Sequence, residues 1–124
     1  MTVSLYERLG GAEGIERLVD GIVQAHVENP VIKARFVPYM EDPERLANIK
    51  RHICAFFGAG SGGPEAYSGR NMTEAHRGMN ISADEYMAAV DDIMATMERH
   101  GIDEQTRNDV LAIAYSLKGE IMHV

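Results

Sequence analysis

Five histidines hold most of the chemistry this chain could do: His26, His52, His76, His100 and His123. No two stand four apart on a helix, which excludes a zinc pair of the HExxH kind. His, Cys, Asp and Glu do not group at metal-cage spacing. No GxSxG elbow is present and no strand pattern could support one, although a Ser–His–Asp set drawn from distant positions stays open. His76 closes an irregular run, Pro64-Glu65-Ala66-Tyr67-Ser68-Gly69-Arg70-Asn71-Met72-Thr73-Glu74-Ala75-His76, and sits on a very short helix. The stretch Gly58-Ala59-Gly60-Ser61-Gly62-Gly63 invites a phosphate cradle, but no Lys-Ser/Thr follows and no strand precedes it. Sharp turning, or close approach of the backbone to a flat ligand, explains these glycines better.

Helices must position these groups, because helix periodicity dominates and strand alternation is nearly absent. Ser4-Leu5-Tyr6-Glu7 fits a capping box opening a short helix that Gly10-Gly11 stops. The next helix runs from about Ala12 to about Glu28, with Ile15, Leu18, Val19, Ile22, Val23 and His26 on one stripe. Asn29-Pro30 ends it, and a turn-like segment offers Ile32, Phe36 and Tyr39 as buried candidates. Asp42-Pro43 opens a helix carrying Leu46, Ile49, Ile53, Phe56 and Phe57. His52 falls about 80° from the centre of that stripe, at its edge on the Phe56 side. Order is expected to break from Gly58, and a long loop inside a compact domain is usually functional. Ser82-Ala83-Asp84-Glu85 caps a helix bearing Tyr86, Val90, Ile93, Met94 and Met97, with Gly101 as its stop. Asp103 caps the last helix, striped by Val110, Ile113, Ala114, Leu117 and Ile121. The short turn between these two implies antiparallel packing in an all-α architecture.

The chain has 124 residues, which suits one domain spanning 1–124 with a single core. A formal net charge of −7 argues against a nucleic-acid surface and against an anionic membrane face. The N-terminus lacks an apolar signal core and no window suits a membrane span, so a cytoplasmic location is expected. Cys54, the single cysteine, precludes an intrachain disulfide and reads as a small buried hydrophobe. His26, within an apolar stripe, reads first as a satisfied core histidine, with a distal-pocket role as the alternative. His100 suits the negative end of a helix dipole, and His123 has no assigned role. The eight methionines read as core filler.

One histidine on each side of an apolar box is what a heme needs: a large apolar slot, an imidazole on one face, and a second face left open or weakly ligated. On composition alone, His76 would be an ordinary surface or capping histidine. His76 and His52 lie on different elements with the loop between them, so they could approach a heme from opposite faces.

The chain also resembles a truncated hemoglobin, most of all the group I branch, over nearly its whole length. The resemblance rests on Leu5-Tyr6-Glu7-Arg8-Leu9-Gly10-Gly11, on Phe36, on Gly62-Gly63-Pro64 with Tyr67, Gly69-Arg70, Met72 and Ala75-His76, and on Ile81 and Tyr86. It implies a truncated globin-like two-over-two helical sandwich around heme b. His76 falls on the proximal iron ligand and Phe36 on the aromatic that packs against the heme. Ile49, His52, Ile53 and Phe56 fall on the distal helix, with His52 where some members bind the iron from that side. Met72, Met79 and Ile81 fall on the proximal wall, Tyr86 at the start of the following helix, and Arg70 is placed to pair with a propionate.

Two departures shape the functional expectation. Val23 stands where the family often has a tyrosine that donates to bound oxygen, and Ile49 where it often has glutamine. The polar group left is His52, which is expected to bind the iron when no external ligand is present. Near Leu117 no histidine is available to bond the heme covalently, so non-covalent heme is expected. The resemblance then implies reversible binding of oxygen, carbon monoxide or nitric oxide, by a monomer or weak dimer, with a reductase as a possible partner. The alternatives are a bis-histidyl electron-transfer or gas-sensing module, and a heme enzyme acting as a nitric oxide dioxygenase or weak peroxidase. Without a tyrosine at position 23, the enzyme is the weaker alternative. A heme-free helical interaction domain is the remaining option.

Overall fold

The computed structural model describes residues 3–63 and 76–123. The described residues form α1 (Leu5–Arg8), α2 (Gly11–Glu28), α3 (Lys33–Met40), α4 (Pro43–Gly60), α5 (Ala83–Arg99), α6 (Glu104–Ser116) and α7 (Lys118–Ile121). Among them β-pairing is limited to a parallel bridge between Ile81 and Met122. Helix α2 packs on α4, α5 packs on α6, and α2 also packs on α5. Two helix pairs laid on each other in this way make the two-over-two sandwich that the resemblance implied.

α2 is the spine. Every residue of its expected stripe is buried: Ile15, Leu18, Val19, Ile22, Val23 and His26. Leu9, Met97 and Val110 complete that cluster, with Leu46, Ile53, Phe57, Ile93 and Met94 packed against it. Gly10 and Gly11, at φ +96° and +67°, turn the chain from α1 into α2 through backbone that only glycine adopts cheaply.

Three elements differ from the sequence reading. Residues 33–40 are a helix, not a turn, despite Pro38. Asn29 starts it, its Oδ1 accepting from Val31 N–H at 3.0 Å and its carbonyl from Lys33 N–H at 2.8 Å. α4 runs through Gly58 to Gly60 instead of breaking at Gly58. Ser61 secures that end, its Oγ donating to the Phe57 carbonyl at 2.6 Å while its own carbonyl accepts from Tyr6 N–H at 2.9 Å. The helix that Asp103 opens is followed by the single turn of α7, so it is not the last.

Caps fix the ends that matter. Asp42 accepts from Arg45 N–H at 3.2 Å, with Pro43 in the first turn of α4. Ser82 and Glu85 form the complete capping box of α5. At α1 the Ser4 hydroxyl accepts from Glu7 N–H at 3.1 Å.

Candidate functional site

His76 is half-buried and begins the second described segment. Its backbone is helical, and its carbonyl accepts from Met79 N–H at 3.0 Å. Gly78 (φ +86°) and Asn80 (φ +46°) then turn the chain so that Ser82 can cap α5. Met79 and Ile81 are half-buried along this stretch. Ile81 is held from the far end of the chain: its carbonyl accepts from His123 N–H at 3.1 Å. His123 Nδ1 also lies 3.1 Å from Asn80 Oδ1, so a tail histidine with no assigned role helps tie the segment down. Arg70 and Met72 lie outside the described residues.

α3 reaches the same segment through Arg35. Its Nη2 donates to the Met79 carbonyl at 2.9 Å and to Glu85 Oε1 at 3.0 Å, and its Nε pairs with Glu85 Oε2. This ion pair holds the Glu85 carboxyl down at about 2, helped by Ser82, and raises the Arg35 guanidinium in return. The sequence reading missed Arg35. Its position beside Phe36, and Glu85 as the capping-box acid, were the signals available.

Phe36, next in the chain, is half-buried, its ring centroid 5.2 Å from that of His26 and 6.5 Å from that of Tyr39. His26 is 8% exposed, and its Nδ1 lies 2.8 Å from Asp92 Oδ2. Asn29 Nδ2 donates to both Asp92 oxygens, at 3.1 and 3.2 Å. His26 is therefore a satisfied core histidine.

On α4, Ile49, Ile53 and Phe56 are half-buried, and His52 is exposed. At about 100° per residue, Leu46, Ile53 and Phe57 share the direction of the α2 core, while Ile49, Phe56 and His52 turn toward one flank. The opposite flank, with Ala47, Lys50, Cys54 and Gly58, faces Ile15, Glu16 and Asp20 of α2 across a groove of about 660 Å³. Lys50 Nζ lies 3.2 Å from Asp20 Oδ1 there. Cys54 is half-buried in this groove rather than buried; burial first, then Glu16 and Asp20, pushes its thiol pKa up. α4 thus has two flanks of different character, and Ile49, Phe56 and His52 belong to the one away from the groove.

Tyr86 is buried, its hydroxyl donates to the Ala114 carbonyl on α6, and burial raises its pKa. Val23 is 3% exposed and Leu117 half-buried. Among the described residues no three of His, Cys, Asp and Glu converge on one point that could cage a bare metal ion. The imidazole of His76 and the half-buried apolar side chains on α3 and α4 suit a metal that carries its own flat, apolar macrocycle.

Comparison with known proteins agrees with this fold. The family model described as bacterial-like globin matches residues 4–123, and the chain belongs to that family. A group 1 truncated hemoglobin of Synechocystis sp. is 29% identical over 115 residues, covering 90% of this chain and 89% of the relative. The fold is that of a truncated hemoglobin from Tetrahymena pyriformis in its Fe(III) form, at a TM-score of 0.88 and 23% identity over 98% of this chain and 100% of that one. A 2/2 hemoglobin from Synechococcus sp., solved in the cyanomet state with covalently attached heme, superposes at a TM-score of 0.82 with 23% identity over 94% of each chain.

Proposed function

We propose that this globin holds heme b non-covalently, with His76 as the proximal iron ligand, and reversibly binds a diatomic gas. The observation that carries the reading is the His76 turn, pinned from α3 and from the chain's tail within a family match over residues 4–123. Heme would supply an iron whose second face can take up oxygen, carbon monoxide or nitric oxide. The chain's own residues do the rest. His76 offers its imidazole from one side. Phe36, Ile49 and Phe56 would offer apolar area to the macrocycle and keep water from it, whereas Ile53, expected on the same wall, packs against the α2 core instead. Met79 and Ile81, half-buried after His76, would line the same side.

The distal side is short of donors. Val23 and Ile49 bring none, so His52, exposed on the flank shared with Ile49 and Phe56, is the polar group that would meet either the iron or its ligand. Leu117 supplies no nucleophilic nitrogen, in keeping with non-covalent heme. Apolar neighbours at positions 23 and 49 favour ligand binding over an oxygen-activating enzyme, which needs a polar distal network. The lone cysteine suits the reducing cytoplasm, where a reductase could keep the iron ferrous.

The test is heme uptake. Protein reconstituted with hemin should show a globin Soret spectrum that shifts when carbon monoxide is added to the reduced form. His76→Ala should weaken heme binding by more than roughly 100-fold, beyond the loss of an outer-shell partner. Normal retention by that variant with an unchanged spectrum would refute the assignment.

A further inference from the structure

We propose that Arg35 is a positioning residue for His76, setting the turn that presents the imidazole and, through it, the strength of the bond to iron. The inference rests on the heme reading above, but its structural half concerns the chain alone. Three hydrogen-bond links run in series. The Arg35 guanidinium donates to the Met79 carbonyl at 2.9 Å, and Met79 N–H donates to the His76 carbonyl at 3.0 Å. The third link holds Arg35 itself, through both Glu85 carboxylate oxygens. Glu85 is in turn fixed by the Ser82 N–H at 3.2 Å as part of the α5 cap. The Arg35 and Glu85 side chains are only 28% and 20% exposed, so solvent competes weakly for these bonds.

The arrangement needs arginine. One planar fork serves a carboxylate with two N–H groups and still reaches a backbone carbonyl, which a point-like ammonium cannot do. It also joins the two sides of the site. Arg35 precedes Phe36 on α3, so one helical turn sets both the aromatic wall and the His76 backbone. Gly78 and Asn80, both at positive φ, make the turn between His76 and α5, and the bridge from Met122 to Ile81 is a second anchor on it.

Three variants test this. Arg35→Met removes every bond, Arg35→Lys keeps a cation opposite Glu85, and Glu85→Gln keeps the contact to Met79. In heme-free protein, amide hydrogen exchange at Met79 should rise at least tenfold in both Arg35 variants and much less in Glu85→Gln. Exchange at Leu18 and Val19 in the α2 core should stay as in wild type, which a merely structural role would not allow. If Arg35→Met fails to fold, Arg35→Lys carries the comparison. In ferrous heme-loaded protein, the iron–histidine stretching band in the Raman spectrum should move in both Arg35 variants and stay in Glu85→Gln. Unchanged Met79 exchange and an unchanged band in the Arg35 variants would overturn the proposal. If wild type takes up no heme, the heme reading falls, while the exchange pattern still decides for or against Arg35.

Discussion

Asp92 on α5 places its Oδ2 2.8 Å from Nδ1 of His26 on α2, sixty-six residues away in the chain. A carboxylate only accepts, so His26 Nδ1–H must donate, and this fixes the ring against Phe36 at 5.2 Å. Asn29, just past the end of α2, holds the same carboxylate through both oxygens. One cluster built on the buried His26 therefore ties α2, α5 and Phe36 of α3 together.

Removing the carboxylate should cost more than the bond itself. The two side chains are 10% and 15% exposed, so Asp92→Ala leaves His26 buried without a partner. A loss of about 2–4 kcal/mol is expected. Asp92→Asn keeps an acceptor and should lose less. Urea unfolding followed by circular dichroism measures both, and equal losses for the two variants would contradict the assignment.

Acid should weaken the α3–α5 junction in a defined window. Glu85 has its folded-state pKa depressed from 4.5 to about 2, so its ion pair stabilises the fold fully above about 4.5. That contribution fades as pH falls from about 4.5 to about 2. Allowing for partial solvent screening, it amounts to on the order of 1–2 kcal/mol. Wild type minus Glu85→Gln stability, plotted against pH, should shrink across this range, and a flat difference would count against the pairing.

His52 should be visible in the spectrum. If it reaches the iron in the absence of an external ligand, ferric wild type is low-spin and His52→Ala becomes high-spin. A high-spin wild type that the substitution leaves unchanged sinks the idea. Should His52 only contact the bound gas, the spin state stays and the oxygen off-rate rises in the variant.

Gly63 should tolerate no side chain. A Cβ there would stand 2.6 Å from Tyr6 Cδ1 and 2.7 Å from the Gly58 carbonyl oxygen. The ring can shift but the backbone oxygen cannot, so Gly63→Ala should cost about 1–3 kcal/mol. Adding Tyr6→Ala should recover only part of the loss in a thermal melt.

Much of the frame was legible in the residues. The stripe of α2, the Asp42-Pro43 start of α4 and the capping box of α5 are local signals, and each stands where periodicity and capping placed it. α3 was not legible, because Pro38 and a span of eight residues hide a helix that begins from an Asn29 turn. The end of α4 was hidden for a related reason. Its glycines argue for a loop, and the Ser61 and Tyr6 bonds that hold them helical depend on tertiary contact. The site divides in the same way. His76 and Phe36 stand out through the motif run and the family resemblance, whereas Arg35–Glu85 and His26–Asp92 join residues 50 and 66 positions apart and need the fold to be seen.

The pairing of Ile81 with Met122 has a practical consequence. His123 is bonded to Asn80 and Ile81, four and five residues after His76, within about 18 Å of chain reach. A fluorophore attached beside His123 would therefore act as a nearby reporter of movements in the turn that follows His76. A bulky fusion at the same end would load that turn mechanically, whereas the same cargo before α1 would press on the Tyr6 and Ser61 end of α4 instead.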